Sequence, residues 1–266
     1  MLESLLVHVL LAFVVGGVWV GSASFAARKF SSGIGGLIGG LPAISFVSFF
    51  FIGLNQSPDA ASQATTAFPL GLSFTLLFLL LYAVLADQDF IVAMGTSLLV
   101  WFTLSGLEAY FHLRNFLISL GAVATIFTVS IYVFRRTLRL PYAKGAGTEF
   151  TIRQFTGYAL PGGTVVASAV FFSQILGPTT GGIAAAFPAI FSLTLTFTYR
   201  SEGGMNLSRS MTKPLMVSAM TVALPYSVLV GWLYPILGLF LGTLAALVAA
   251  APLALLAYFL IHRKGI

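Results

Sequence analysis

Glu108 and His112 stand four residues apart. On a helix that spacing puts both on one face. A carboxylate beside an imidazole can relay a proton, and ionisable groups at membrane depth are functional candidates by default. The two residues are therefore the proton-coupling candidates. Their neighbours Tyr110, Arg114 and Asn115 place them near the outer interface, where a solvated loop pair is the expectation. His8, early in the first apolar run, reads as interfacial. Lys213, beside Pro214, is expected to snorkel to the surface. His8, His112 and His262 are too scattered for a metal triad, and cysteine is absent. No metal, cofactor, disulfide or cysteine catalysis is expected. No His-Glu-x-x-His, Walker or Gly-x-Ser-x-Gly motif is present, so the chain does not read as an enzyme. Without an ATP site, any transport it performs is secondary or passive.

A second constellation is conformational rather than titratable. Gly35-Gly36-Leu37-Ile38-Gly39-Gly40-Leu41-Pro42 returns as Gly181-Gly182-Ile183-Ala184-Ala185-Ala186-Phe187-Pro188. Pro69-Leu70-Gly71-Leu72-Ser73 returns as Pro214-Leu215-Met216-Val217-Ser218, and Tyr82-Ala83-Val84-Leu85 as Tyr226-Ser227-Val228-Leu229. Three blocks in one order, at spacings of 146, 145 and 144 residues, indicate an internal duplication. Glycine lets a helix or a ligand approach the backbone closely. Proline inside a helix frees the carbonyl four residues earlier, here those of Ile38 and Ala184. A break at both prolines would set two half-helix ends near the midplane, where an N-terminus suits an anion. Close packing alone would also account for the glycines, and a kink alone for the prolines. The candidate substrate-binding residues are Gly35, Gly36, Gly39, Gly40, Pro42, Gly181, Gly182, Ala186 and Pro188, with Gln174 and Thr180 in the polar stretch before the second block.

The elements that position these residues must lie in lipid. The chain of 266 residues is 58% hydrophobic and 8% charged, with a mean hydropathy of +1.00. A soluble domain carries about 25% charged residues. The apolar runs predict helices over 4–26, 33–54, 67–86, 89–108, 114–134, 157–176, 180–199, 212–233 and 237–262. The polar runs between them, such as 55–66 and 201–212, read as loops or re-entrant segments. Arg28 and Lys29 follow the first run and no basic residue precedes it, so it reads as a retained span rather than a signal peptide. With the N-terminus outside, twelve of the thirteen Lys and Arg residues fall in cytoplasmic segments, Arg114 being the exception. The basic residues flank spans, and no nucleic-acid motif accompanies them.

Nine spans put an odd number between the starts of the two copies, so the copies would have opposite orientations. The expected fold is all-α and polytopic. Residues 1–112 form one four-helix repeat, 113–153 a linking helix and basic segment, and 154–266 the inverted second repeat. The two glycine-to-proline blocks resemble those of the sulfite/taurine exporter class of small permeases, which also consist of two repeated halves of similar total length. The third glycine of that family's run is Leu37 and Ile183 here, and the following turn differs in length. The resemblance implies export of small organic or sulfur-containing anions.

The expected function is a secondary transporter of a small anionic solute, working by alternating access between the repeats. An ion or solute channel of the same architecture, or a non-transporting membrane scaffold, are the alternatives. The expected partners are the lipid bilayer and a small-molecule or ion substrate, with no nucleic acid, and the apolar outer faces are compatible with a homodimer. The expected location is the plasma (inner) membrane, with the C-terminus cytoplasmic.

Overall fold

Side chains at the loop ends fix several helix starts. Ser57 accepts a hydrogen bond from the Ala60 N–H with Pro58 in the first helical position, and Asn115 accepts one from Ile118 N–H. Thr151 and Gln154 cap each other's backbone reciprocally. Such caps contribute about 1 kcal/mol each.

The computed structural model describes residues 2–29, 42–113, 115–138 and 151–264. Among the described residues all regular structure is helical. The helices are α1 (Leu2–Lys29), α2 (Ala43–Asn55), α3 (Pro58–Leu85), α4 (Phe90–Phe111), α5 (Phe116–Tyr132), α6 (Ile152–Leu176), α7 (Pro178–Ala185), α8 (Ala189–Tyr199), α9 (Gly204–Ser218) and α10 (Leu224–Lys264). π-Helical turns extend α5 over Val133–Thr137 and join α9 to α10 over Ala219–Ala223.

Seven helical stretches among the described residues are long and apolar enough to cross a bilayer. Ile91, Leu99, Leu117, Ile236 and Phe240 lie on their outer faces, largely open to the surroundings. A surface of this kind belongs in lipid, and the chain is a membrane protein.

Three expectations need correction. α3 begins at Pro58 rather than near 67, and α9 at Gly204 rather than near 212, so both polar runs are largely helical. The reason is that Ser and Thr can donate to carbonyls of their own helix instead of to solvent. Thr65 donates to the Ser62 carbonyl, Thr66 to that of Gln63 and Thr212 to that of Arg209. The helix expected over 180–199 is two helices, α7 and α8, separated at Ala186–Pro188.

The stretch Gly204–Leu253 is 50 residues long. As one straight helix it would run about 75 Å, far beyond a hydrocarbon core of about 30 Å. It turns back at Gly238, whose φ of 73° and ψ of −178° are open to glycine. A Cβ on Gly242 would stand 3.1 Å from the Leu233 carbonyl oxygen, and the Tyr234 and Thr243 hydroxyls are 2.7 Å apart.

α3 is the hub. Its buried residues run from Ala60 to Ala83, and α2, α4, α5, α7, α9 and α10 pack around it. The other main contact is α1 against α6, and it is reciprocal. A Cβ on Gly17 would meet the Ala159 carbonyl oxygen, and one on Gly163 the Phe13 carbonyl oxygen. A Cβ on Gly16 would meet Val166, and one on Gly162 would meet Val20. Residue numbers rise along α1 as they fall along α6, so the two helices are antiparallel. Phe13, Gly16, Gly17 and Val20 each stand 146 residues before Ala159, Gly162, Gly163 and Val166. Exchanging the two segments therefore turns the Gly17–Ala159 contact into Gly163–Phe13, and Gly16–Val166 into Gly162–Val20.

The helix ends gather into two groups. At one end Arg209 of α9 donates to Asp87 of the α3–α4 turn through two bonds of 2.6 and 3.2 Å, and Phe90 stacks on Tyr199 at 4.2 Å. At the other, Gln56 donates to Ser173 at 2.7 Å, and Ser62 donates to the Gly231 carbonyl at 2.7 Å.

Candidate functional site

Pro42 and Pro188 do the same thing in the two halves of the chain. Each is the residue before a short helix, with φ of −77° in both and ψ of 62° and 42°. A positive ψ at a proline leaves the helical region, so α2 and α8 start afresh there. The first backbone bonds are Phe46 N–H to the Pro42 carbonyl and Ser192 N–H to the Pro188 carbonyl. The N–H groups of Ala43, Ile44, Ser45, Ile190 and Phe191 precede them and have no partner within their helices. Neither helix has a side-chain cap.

Both first turns face one cavity of about 80 Å³. Pro42, Ala43, Ile44 and Ser45 line it from α2, and Pro188, Ile190 and Phe191 from α8. Phe68, Leu72 and Thr75 of α3 and Ala185, Ala186 and Phe187 of the break complete the apolar wall, with Ser218, Ala219 and Ala223 beside the π turn. Pro225 follows that turn, and its missing N–H and clash with the carbonyl four residues earlier account for the widened backbone. The walls are mainly hydrocarbon. The polar side chains that line it are the hydroxyls of Ser45, Thr75 and Ser218.

Thr75 anchors the break. Its hydroxyl donates to the Ala186 carbonyl at 2.6 Å and accepts from the Trp101 indole N–H at 3.0 Å. The carbonyl that the end of α7 leaves open is thereby satisfied from a neighbouring helix. Trp101 also meets Phe187 edge to face at 5.0 Å.

Glu108 and His112 do not form a pair. The carboxylate is 1% exposed, whereas His112 is exposed at the end of α4. His112 has a φ of 52°, and its N–H closes the helix on the Glu108 carbonyl, so the chain leaves the helix between them and the shared face ends. The expectation that Glu108 is solvated is corrected too. It continues the buried stripe Ala93, Ser97, Trp101 and Ser105 of α4 and points at α3 where Gly71 leaves room. A Cβ on Gly71 would stand 3.8 Å from Glu108 Oε2 and 2.9 Å from the Ala186 Cβ. The carboxylate thus lies behind the cavity wall, and neither of its oxygens has a hydrogen-bond partner. Lys213, expected to snorkel, is 7% exposed and buried in α9.

The other sequence candidates divide. Pro42, Ala186 and Pro188 line the cavity. Gly181 and Gly182 are buried at helix contacts, Gly181 against Ser173 and Ala169 of α6 and Gly182 against the Ala64 carbonyl of α3. They bring α7 onto its neighbours and are not among the cavity's lining residues. Gln174 and Thr180 sit near the α6–α7 junction and do not line the cavity either. Gly35, Gly36, Gly39 and Gly40 lie outside the described residues. Sequence reasoning missed Thr75, Trp101 and the Gly16-Gly17 and Gly162-Gly163 pairs. The glycine pairs repeat at the same spacing of 146 as the proline blocks and were detectable on that ground. Nothing local marks Thr75.

No family model matches the chain, and neither a curated protein nor a solved structure shows significant similarity to it.

Proposed function

We propose that the protein is a secondary transporter of a small anionic solute, which it binds in the cavity between the starts of α2 and α8. One observation carries this reading: two helices that begin at repeat-matched prolines set their uncapped first turns along the same half-open cavity. The positive ends of two helix dipoles then act on one ligand, and the low-dielectric walls strengthen their field. A cavity of about 80 Å³ suits an ion of a few heavy atoms, and its hydrocarbon lining suits one with an apolar side.

The same reading makes the chain nine spans in two inverted repeats, joined by α5 and the basic segment after it. The reciprocal antiparallel contact of α1 with α6 supports a pseudo-two-fold axis in the membrane plane, and the reversal at Gly238 supports two spans within Gly204–Leu253. Alternating access would then rock one repeat against the other around the cavity. The positive-charge distribution supports an N-terminus outside and a C-terminus in the cytoplasm of a plasma membrane.

Thermal unfolding of purified protein against chloride, nitrate, methanesulfonate, amino acids and cations tests the binding site. A selective, saturable stabilisation by one class of small anion is expected, amounting to about 2.7 kcal/mol at a hundredfold excess over Kd. Stabilisation by cations alone, or by no ligand, would remove the anion site.

A further inference from the structure

We propose that Glu108 carries a coupling proton, taken up together with the anion, so that the protein is a proton–anion symporter. This rests on the transport reading above and names the ion that drives it.

The first argument is placement. Glu108 is 1% exposed in a membrane helix, and neither carboxylate oxygen has a hydrogen-bond partner. An ionised carboxylate without a partner in such a place is costly, so the group has to be neutralised there. Among the described residues, the elements packed on α4 here supply no counter-charge. α3 and α7 are the elements packed on α4 in this region. α7 has no titratable side chain, and those of α3 are Asp59 in its first turn and Tyr82, whose hydroxyl is 2.7 Å from Ser208. On α4 itself, Tyr110 and His112 face outward. A resident cation would need several oxygen ligands. The unpartnered oxygen nearest in sequence is Ser105 Oγ, one turn away, and the Ala186 carbonyl is occupied by Thr75. A proton is the neutralising partner that this set accommodates.

The second argument is linkage to the cavity. Glu108 Oε2 and the Ala186 Cβ converge on the same point above Gly71, and Ala186 is part of the cavity lining. An anion held at the two helix starts would repel a charged Glu108 through this thin, low-dielectric wall. The anion therefore binds the protein whose Glu108 is protonated, and its departure lets the proton leave to water on the open side. One monovalent anion then moves with one proton and no net charge crosses the membrane. Gly71 is what permits the approach, since any larger residue would collide with Ala186.

The test uses the full chain in sodium-free liposomes, with methanesulfonate as the probe because it does not cross lipid as a neutral acid. With the outside one pH unit more acidic, methanesulfonate should accumulate inside about tenfold and the lumen should acidify. In Glu108→Gln the gradient should no longer drive accumulation, and the stabilisation of the purified variant by methanesulfonate should lose its dependence on pH. Gradient-driven accumulation by Glu108→Gln equal to wild type would overturn the proposal. Should that variant not fold, the wild type decides: stabilisation by the anion that grows as pH falls supports the proposal, and stabilisation constant between about pH 5 and 9 overturns it. Wild-type uptake that ignores the proton gradient overturns the coupling alone. No saturable uptake or binding of any small anion overturns the transport reading, and the coupling with it.

Discussion

Thr75 holds two groups from other helices at once, donating to the Ala186 carbonyl and accepting from the Trp101 indole. Replacing it with valine keeps the shape and removes the hydroxyl. The Ala186 carbonyl and Trp101 N–H would be stranded in a membrane interior, at a cost of about 1–3 kcal/mol. Thr75→Val should accordingly lower the unfolding midpoint in detergent and shift the emission of Trp101, while an unchanged midpoint would mean that the break is held by something else. The repeated blocks singled out Pro42 and Pro188, whereas Pro69, Pro161 and Pro214 sit inside continuous helices, so a missing N–H alone does not foretell a break. Residue types could not indicate where Glu108 points. Its helix face follows from spacing, but the close of α4 at His112 and the space at Gly71 arise from packing between elements distant in the chain. A carboxylate near Tyr110 and Arg114 reads as solvated until those contacts are known.

Among the elements, α7 shows how glycine sets distance. A Cβ on Gly182 would collide with the Ala64 carbonyl, whereas one on Gly106 would meet nothing within 4 Å. Gly182→Ala should destabilise by about 1–3 kcal/mol, as overpacking does. Gly106→Ala should be at or above wild-type stability, because alanine is favoured over glycine in a helix by about 1 kcal/mol. Equal effects in chemical unfolding would contradict the packing described for α7. Apolar runs were a sufficient guide to where most helices lie, since lipid admits little else. They misjudged α3 and α9, whose first turns carry Ser, Thr and Asn, because hydroxyls bonded within a helix are indistinguishable in sequence from hydroxyls in a loop. The break in the second block was legible from Pro188, although the Ala184 carbonyl it was expected to free accepts from the Phe187 N–H at 3.1 Å.

For the whole molecule, the grouping of helix ends determines sidedness. The chain has no cysteine, so single introduced cysteines report without background. Gln88→Cys and Glu202→Cys should react with an impermeant thiol reagent from the cytoplasmic face, and Asp59→Cys and His112→Cys from the opposite face. Reaction of Gln88→Cys and Glu202→Cys from different sides would contradict the end formed by Asp87, Arg209, Phe90 and Tyr199. Three sequence blocks that keep their order are what point to a duplication. The relation between the copies depends on the α1–α6 contact, where Gly17 meets Ala159 and Gly163 meets Phe13. The claim that most depends on all of this is that one cavity between two helix starts carries an anion across the membrane. The most direct measurement is counterflow of labelled methanesulfonate, chloride or nitrate into liposomes containing the protein and preloaded with the same unlabelled anion. The account predicts transient, saturable accumulation that exceeds equilibration for at least one of them. Uptake no greater than in protein-free liposomes for all three, or unsaturable uptake without counterflow as in an open pore, would contradict it.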